Sequence, residues 1–223
     1  MAPSPYRVLF LDLDDTVYPS SSGLWEAIGD RILSYMVEVA GVPAVRADAL
    51  RDEYFRSYGT TLTGLRIHQG VDPHDYLRYV HDLPLERYLA PDPLVRAILA
   101  EVPLRRVVFT NADRAHANRV LARLNLTEVI DQIIDITDLD WTPKPLEAAY
   151  TKALAAVGET DARACVLVDD MVRNVLPAER LGMTGVLVGQ KHSSENVHLR
   201  IDSLHQLPDL LRDLGVVYPR EAA

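Results

Sequence analysis

Leu9-Phe10-Leu11-Asp12-Leu13-Asp14-Asp15-Thr16 is the stretch on which the reading of this chain turns. Val8 to Leu11 is an unbroken apolar run, the pattern of a strand buried on both faces of a parallel sheet. It stops abruptly in three carboxylates and a hydroxyl. A parallel strand that ends in charge delivers that charge to the carboxyl edge of the sheet, where open α/β folds hold their ligands. Carboxylates this close repel one another and need a cation, protons or full exposure to water. A hard divalent cation such as Mg²⁺ prefers oxygen ligands, so it fits the cluster. An ordinary acidic turn would fit these eight residues equally well, and the rest of the chain has to separate the two.

Downstream, Val17 to Gly23 is rich in turn formers and reads as a flap or loop. From Leu24 to Val39 the apolar residues Leu24, Ile28, Ile32, Tyr35, Met36 and Val39 recur at helical spacing. Gly41-Val42-Pro43 closes that helix and opens another over Ala44 to Tyr58, and Gly59 to Gly70 reads as a break. Asp72-Pro73 and Asp92-Pro93 each carry the N-cap-plus-proline signature of a helix start, the second running to Val102. The expectation is an all-helical domain over 19–89, inserted into a core of 1–18 and 90–223.

The rhythm then changes. Strands are expected at Arg106–Thr110, Val129–Ile136, Ala164–Val168 and Met183–Val188. Helices are expected at Asp113–Leu124, Leu146–Val157, Val172–Leu181 (kinked or split at Pro177) and Ser203–Leu214. Alternating strands and helices imply an α/β fold with a Rossmann-like parallel sheet, and right-handed crossovers put every strand C-terminus on one edge.

The 223 residues, 48% of them hydrophobic, suffice for a sizeable core. A net charge of -9 argues against an extended nucleic-acid surface. The one cysteine, Cys165, lies in an apolar run and reads as a buried thiol. The absence of a long apolar span, and of a charged segment leading into an apolar one at the N-terminus, leads to the expectation of a cytoplasmic protein without a membrane partner, monomeric or homodimeric.

Four segments bring polar groups to the common edge: Asp12/Asp14/Thr16, Thr110/Asn111, Lys144, and Asp169/Asp170. Each alone is ordinary: a helix cap, a loop lysine, an acidic turn. Together they are coherent for phosphoryl transfer to a carboxylate, which cannot approach an anionic phosphorus unless positive charge is supplied. Mg²⁺ between Asp12, a backbone carbonyl near Asp14 and the Asp169/Asp170 pair would supply it, and Lys144 would add a second cation. The Thr110 hydroxyl, Asn111 and nearby backbone amides would hold phosphoryl oxygens. Asp12 could then attack, and Asp14 could protonate the leaving alcohol and afterwards activate water.

These four segments resemble, in order, the motifs of the haloacid dehalogenase-like phosphohydrolase superfamily. The resemblance implies Asp12 as nucleophile, Asp14 as acid/base, Thr110 and Lys144 as phosphate-binding and charge-balancing groups, and Asp170 as a direct metal ligand. Asp169 would bind the metal through water or orient Lys144. The helical insertion is similar to the small cap that closes over such sites. The second acid, Asp14, points away from haloalkanoate dehalogenases and towards a phosphatase or phosphomutase. Tyr58-Gly59-Thr60-Thr61-Leu62-Thr63-Gly64-Leu65, with His68, Leu83-Pro84-Leu85 and the Asp15–Pro19 continuation, resembles the pyrimidine 5'-nucleotidase branch. That branch implies a nucleoside 5'-monophosphate, with Tyr18, Arg66 and His68 as candidates for contacting sugar or base. Asn174 is a candidate brace for the acidic pair. His74, His81, His116, His192, His198 and His205 show no ligand spacing and receive no role. The alternatives are a phosphatase of another small metabolite such as a sugar phosphate, a β-phosphoglucomutase-like mutase, a receiver-like signalling module, and a non-catalytic binding protein. The motif order disfavours the receiver, and the completeness of the motifs disfavours the last.

Overall fold

The computed structural model describes residues 4–189 and 197–218. Strand β1 (Val8–Leu11) is central and buried along its whole length. It is followed by helices α1 (Leu24–Glu38), α2 (Ala44–Tyr58), α3 (Thr61–Gln69), α4 (Pro73–Val80) and α5 (Pro93–Glu101). Strand β2 (Arg105–Phe109), helix α6 (Arg114–Leu124), strand β3 (Gln132–Ile134) and helix α7 (Glu147–Val157) come next. Strand β4 (Cys165–Asp169), helix α8 (Val172–Arg180), strands β5 (Thr184–Val188) and β6 (Arg200–Ile201) and helix α9 (Leu207–Asp213) complete the core.

The sheet order is β3-β2-β1-β4-β5-β6, with every pair parallel. The chain moves outward from β1 through β2 and β3, then returns to β4 on the other side of β1. This reversal is the topological switch point at which such sheets place their crevice. Leu11 lies level with Val108 on one side and Val168 on the other. One step on, the Asp12 amide donates to the Val168 carbonyl at 2.9 Å, and the Thr110 amide donates to Ile134 at 3.0 Å. Asp12, Thr110 and Asp169 therefore emerge together.

Helices α1 to α4 gather round a cluster of their own, including Tyr35, Met36, Tyr54, Leu65, Tyr76 and Val80. The first turns of α1 belong elsewhere: Leu24 and Ile28 pack with the sheet-side cluster that also holds Leu85 and Leu89. The insertion is thus rooted in the core through α1.

Several segments differ from the sequence expectation. Gly59–Gly70 is not a break. The two glycines, with φ of 88° and 66°, bracket helix α3. The Thr60 hydroxyl caps that helix by accepting from the Thr63 amide at 3.1 Å. The third strand shrinks to Gln132–Ile134, because Thr127–Val129 winds into a 3₁₀ turn and Asp135 Oδ1 accepts from the amides of Thr137 and Asp138 to turn the chain. Helix α8 runs through Pro177 without splitting, and the last helix starts as a 3₁₀ turn over Leu204–Gln206. Strand β6, two residues long, is too short to leave a periodicity. Among the described residues no helix is long and apolar enough to cross a membrane.

Gly64 shows why α2 and α3 can lie close: a Cβ there would sit 2.1 Å from Tyr54 Cγ. Gly64→Ala is expected to destabilise the protein by about 1–3 kcal/mol, as overpacking does. Chemical denaturation checks this, and adding Tyr54→Leu should return part of the loss.

Candidate active site

Lys144 is the centre of the crevice. The residue is 1% exposed, and its ammonium donates to Asp12 Oδ1 at 2.8 Å and to Asp169 Oδ2 at 2.7 Å. It also lies 4.9 Å from the centre of the Phe109 ring. A lysine buried this deeply keeps its charge only with carboxylates in contact. Burial opposes that charge, but Asp12 and Asp169 outweigh it and raise the Lys144 pKa.

The loop carrying Lys144 is held by Asn111. Asn111 Nδ2 donates to the Lys144 carbonyl at 3.0 Å, and the Lys144 amide donates to Asn111 Oδ1 at 2.8 Å. The Asn111 side chain is thus occupied in bracing the lysine, so the expected phosphate contact falls to its backbone rather than its amide group. The Thr110 hydroxyl accepts from the Ala112 amide at 3.0 Å and borders the crevice, with its own hydrogen available to a ligand.

Asp169 and Asp170 have distinct surroundings. Asp169 Oδ2 takes Lys144 and, at 3.1 Å, Asn174 Nδ2; its Oδ1 takes Asn174 Nδ2 and the Met171 amide, both at 2.9 Å. Asn174 is therefore the brace the sequence allowed for. Asp12, Asp169 and Asp170 each present an oxygen within 4.8 Å of the others. Burial, then the charges of Asp169 and Asp12, push the Asp170 carboxyl up to about 9. Burial and Asp169, opposed by Lys144, push Asp12 up to about 7. Clustered oxygen donors that resist ionising on their own suit a hard cation such as Mg²⁺, which prefers oxygen ligands.

The Asp14 side chain is not part of that metal-competent group. Its Oδ1 accepts from the Tyr18 hydroxyl at 2.7 Å and lies 2.9 Å from His116 Nε2. Burial would raise its pKa, but the charge and hydrogen bond of His116, with smaller contributions from His81 and Tyr18, lower it. The turn beyond it is tight: Asp15 has φ of 57°, and the Leu13 carbonyl accepts from the Val17 amide at 3.1 Å.

Around these groups lies a cavity of about 530 Å³. Its floor is Asp12, Asp14, Thr110, Asn111, Lys144 and Asp170; its roof comes from α1, α2 and α3, including Trp25, Phe55 and Thr60–Leu62. None of the three cap candidates borders it. Tyr18 is buried and turned to Asp14. Arg66 stacks over Trp141 at 5.0 Å, and His68 stacks on Tyr54 at 5.2 Å and meets the Tyr58 hydroxyl at 2.7 Å. The reason is helical: α3 aims its N-terminus at the cavity, and Arg66 and His68 sit in its last turn. Sequence reasoning missed His116 and His81, which stack at 4.0 Å with 17° between ring planes. Their one local signal was His116 standing three residues past the helix cap Asp113. His74 packs on Trp141, His205 pairs with Asp92, and His192 lies outside the described residues. Burial pushes the Cys165 thiol up to about 12, as an inert core cysteine requires.

The family model for haloacid dehalogenase-like hydrolases matches residues 6–182. The chain is a haloacid dehalogenase-like hydrolase. It is 25% identical over 232 residues to phosphate metabolism protein 8 of Saccharomyces cerevisiae, covering 95% of this chain and 72% of the yeast protein. A β-phosphoglucomutase from Clostridium difficile shares the fold with a TM-score of 0.63 and 16% identity, over 93% of this chain and 96% of that one. A HAD phosphatase from Thermococcus onnurineus does so with a TM-score of 0.60 and 18% identity, over 92% and 97%.

In this hydrolase the raised acids tie stability to pH. With their folded-state pKa values raised, Asp12 and Asp170 contribute stability that is lost as pH rises from about 4 through 7 to 9, offset in part up to about pH 6.5 by His81, whose burial lowers its pKa to about 4. Melting curves in a chelator are expected to show that decline, and Mg²⁺ to reverse it, with a larger upward shift at pH 8 than at pH 5.5. Asp170→Asn should flatten both trends.

Proposed function

We propose that this hydrolase is a Mg²⁺-dependent phosphomonoesterase that works through an aspartyl-phosphate on Asp12 and acts on a nucleoside 5'-monophosphate. The observation that carries the reading is the buried Lys144 ammonium bridging Asp12 and Asp169 beside Asp170. It leaves the Asp12 carboxylate fixed on the cavity floor beside the Lys144 ammonium. A Mg²⁺ ion held by Asp12, Asp170 and the backbone carbonyl of Asp14 would supply the remaining positive charge that an anionic phosphoryl group needs beside a carboxylate. Asp169, with both oxygens hydrogen-bonded, orients Lys144 and bears on the metal at most through water.

An Asp12 oxygen attacks phosphorus as the bond from phosphorus to the ester oxygen breaks. Asp14 gives its proton to that leaving oxygen; the arriving phosphate's negative charge favours its protonated form. Asp14, now a carboxylate, takes a proton from water. The water oxygen bonds to phosphorus, the bond to Asp12 breaks, and inorganic phosphate leaves with Asp12 restored. Lys144, Thr110 and the backbone near Asn111 hold the phosphoryl oxygens.

Asp14 itself favours ester hydrolysis over dehalogenation, since displacement of halide needs no proton donor. The names of the yeast relative and of the phosphatase and mutase neighbours agree with phosphate chemistry. The nucleotide part rests on the cap motif around Tyr58–Leu65 and on the aromatic side chains Trp25 and Phe55 that line the cavity roof. The same reading takes the enzyme as cytoplasmic, monomeric or homodimeric, with a small phosphorylated metabolite as its partner.

Phosphate release from UMP, CMP, AMP and a set of sugar phosphates, with and without Mg²⁺, tests both parts. Nucleotides are expected to lead and chelation to stop turnover; a wide lead for sugar phosphates would remove the nucleotide part alone. Asp12→Asn is expected to abolish turnover without lowering the melting temperature. Lys144→Ala should cost at least about 10²-fold in kcat, as loss of a preorganised cation does; a twofold loss would reduce it to a loop lysine.

A further inference from the structure

We propose that His116, backed by His81, is a positioning residue that sets the orientation of the Asp14 carboxyl for proton transfer. The proposal rests on the phosphomonoesterase reading above.

Both side-chain donors to Asp14 meet the same atom: the Tyr18 hydroxyl and His116 Nε2 converge on Oδ1 at 2.7 and 2.9 Å. A carboxyl pinned through one oxygen has its rotation fixed, and its other oxygen, Oδ2, is the one that can carry the transferable proton. His116 is 1% exposed, and its Nδ1 is buried with no hydrogen-bond partner among the described residues, whereas His81 Nδ1 faces the Asp113 carboxylate. An orphaned ring nitrogen is a desolvation cost that an apolar side chain of similar size would avoid. The imidazole is accounted for by its other nitrogen, which reaches Asp14.

The pair also links two parts of the fold. His116 lies in the first turn of α6, where its amide donates to the Asp113 carboxylate at 2.9 Å. His81 follows α4 in the helical insertion, and its ring packs flat on that of His116 while its Nδ1 lies 3.4 Å from the same Asp113 oxygen. Arg119, one turn after His116, donates to the carbonyls of His81 and Leu83 at 2.8 and 2.6 Å. One face of α6 thus clamps the end of the insertion and presses its imidazole against the ring that holds the acid.

The test uses the leaving group. An alkyl phosphate such as UMP needs its departing oxygen protonated, whereas p-nitrophenolate leaves readily without help. Comparing kcat/KM, which reports steps up to formation of the phospho-enzyme, isolates the acid role from later water activation. His116→Ala is expected to lower kcat/KM by about 10²–10³-fold with UMP, the range of a general acid, and by under about 10-fold with p-nitrophenyl phosphate. His116→Gln, whose amide N–H can reach the position of Nε2, should recover much of the UMP loss, and His81→Ala should give a weaker version of the same imbalance. Equal losses on both substrates, in His116→Ala and His116→Gln alike, would show a merely structural residue and overturn the proposal while leaving the phosphatase reading intact. A wild-type enzyme that released phosphate from neither ester would overturn both.

Discussion

A protonated lysine with almost no access to water is costly unless carboxylates surround it, and carboxylates crowded at a strand end are costly unless cations offset them. Lys144 and the pair Asp12/Asp169 solve each other's problem, and the rest of the site is arranged around that solution. The strand ends bring the two aspartates to one edge because β1 pairs directly with β4, Leu11 level with Val168. The lysine arrives from a loop after β3, a long way off in sequence, so the loop has to be held: Asn111 grips both the amide and the carbonyl of Lys144. Asn174 does the equivalent for Asp169 from the first turns of α8. One lysine does not balance three acids, and the imbalance shows at Asp170, whose carboxyl is held well above the usual range by burial and by the charges of Asp169 and Asp12. That residual deficit of positive charge is what a cation held there would offset.

What could be read from the chain alone follows from how local each signal is. Strand β1 was legible to the residue, because a four-residue apolar run that ends in charge suits little besides a buried strand. That the polar groups at the ends of β2 and β4 share an edge with those of β1 was legible for the same reason, and the place of Lys144 only in combination with them. Helix α3 was hidden because Gly59 and Gly70 look like breaks when they are its boundaries. The edge strand β6 carries two residues of pattern. Arg66 and His68 were plausible by chemistry, but they stand in the last turn of a helix whose N-terminus faces the cavity, a direction the sequence does not state. His116 and His81 were invisible for a deeper reason. They are 35 positions apart and meet only because α6 and the end of α4 pack together. No spacing rule encodes a stacked pair that folding alone brings about.

The division between core and insertion is therefore less clean than the chain order implies. The chemistry comes from the sheet edge and most of the roof from α1, α2 and α3, yet the two parts touch through the site's own supports. Gly59, at the end of α2, lies so close to the lysine loop that a Cβ would come within 3.1 Å of the Lys144 carbonyl. Arg173, beside Asn174, donates to the Phe55 carbonyl at 2.9 Å and lies over the Phe55 ring at 4.2 Å. His81 rests on the imidazole that holds Asp14. Each contact sets part of the insertion against a residue of the crevice or its support: the Lys144 loop, the neighbour of Asn174, which braces Asp169, and the imidazole on Asp14. A shift of the helical insertion relative to the sheet would have to disturb at least one of the three. On the proposed mechanism, a substrate that fits the roof and one that meets Asp14, Lys144 and Asp12 in register would be selected by the same packing, so that one cavity could couple recognition to reaction without a separate device for each.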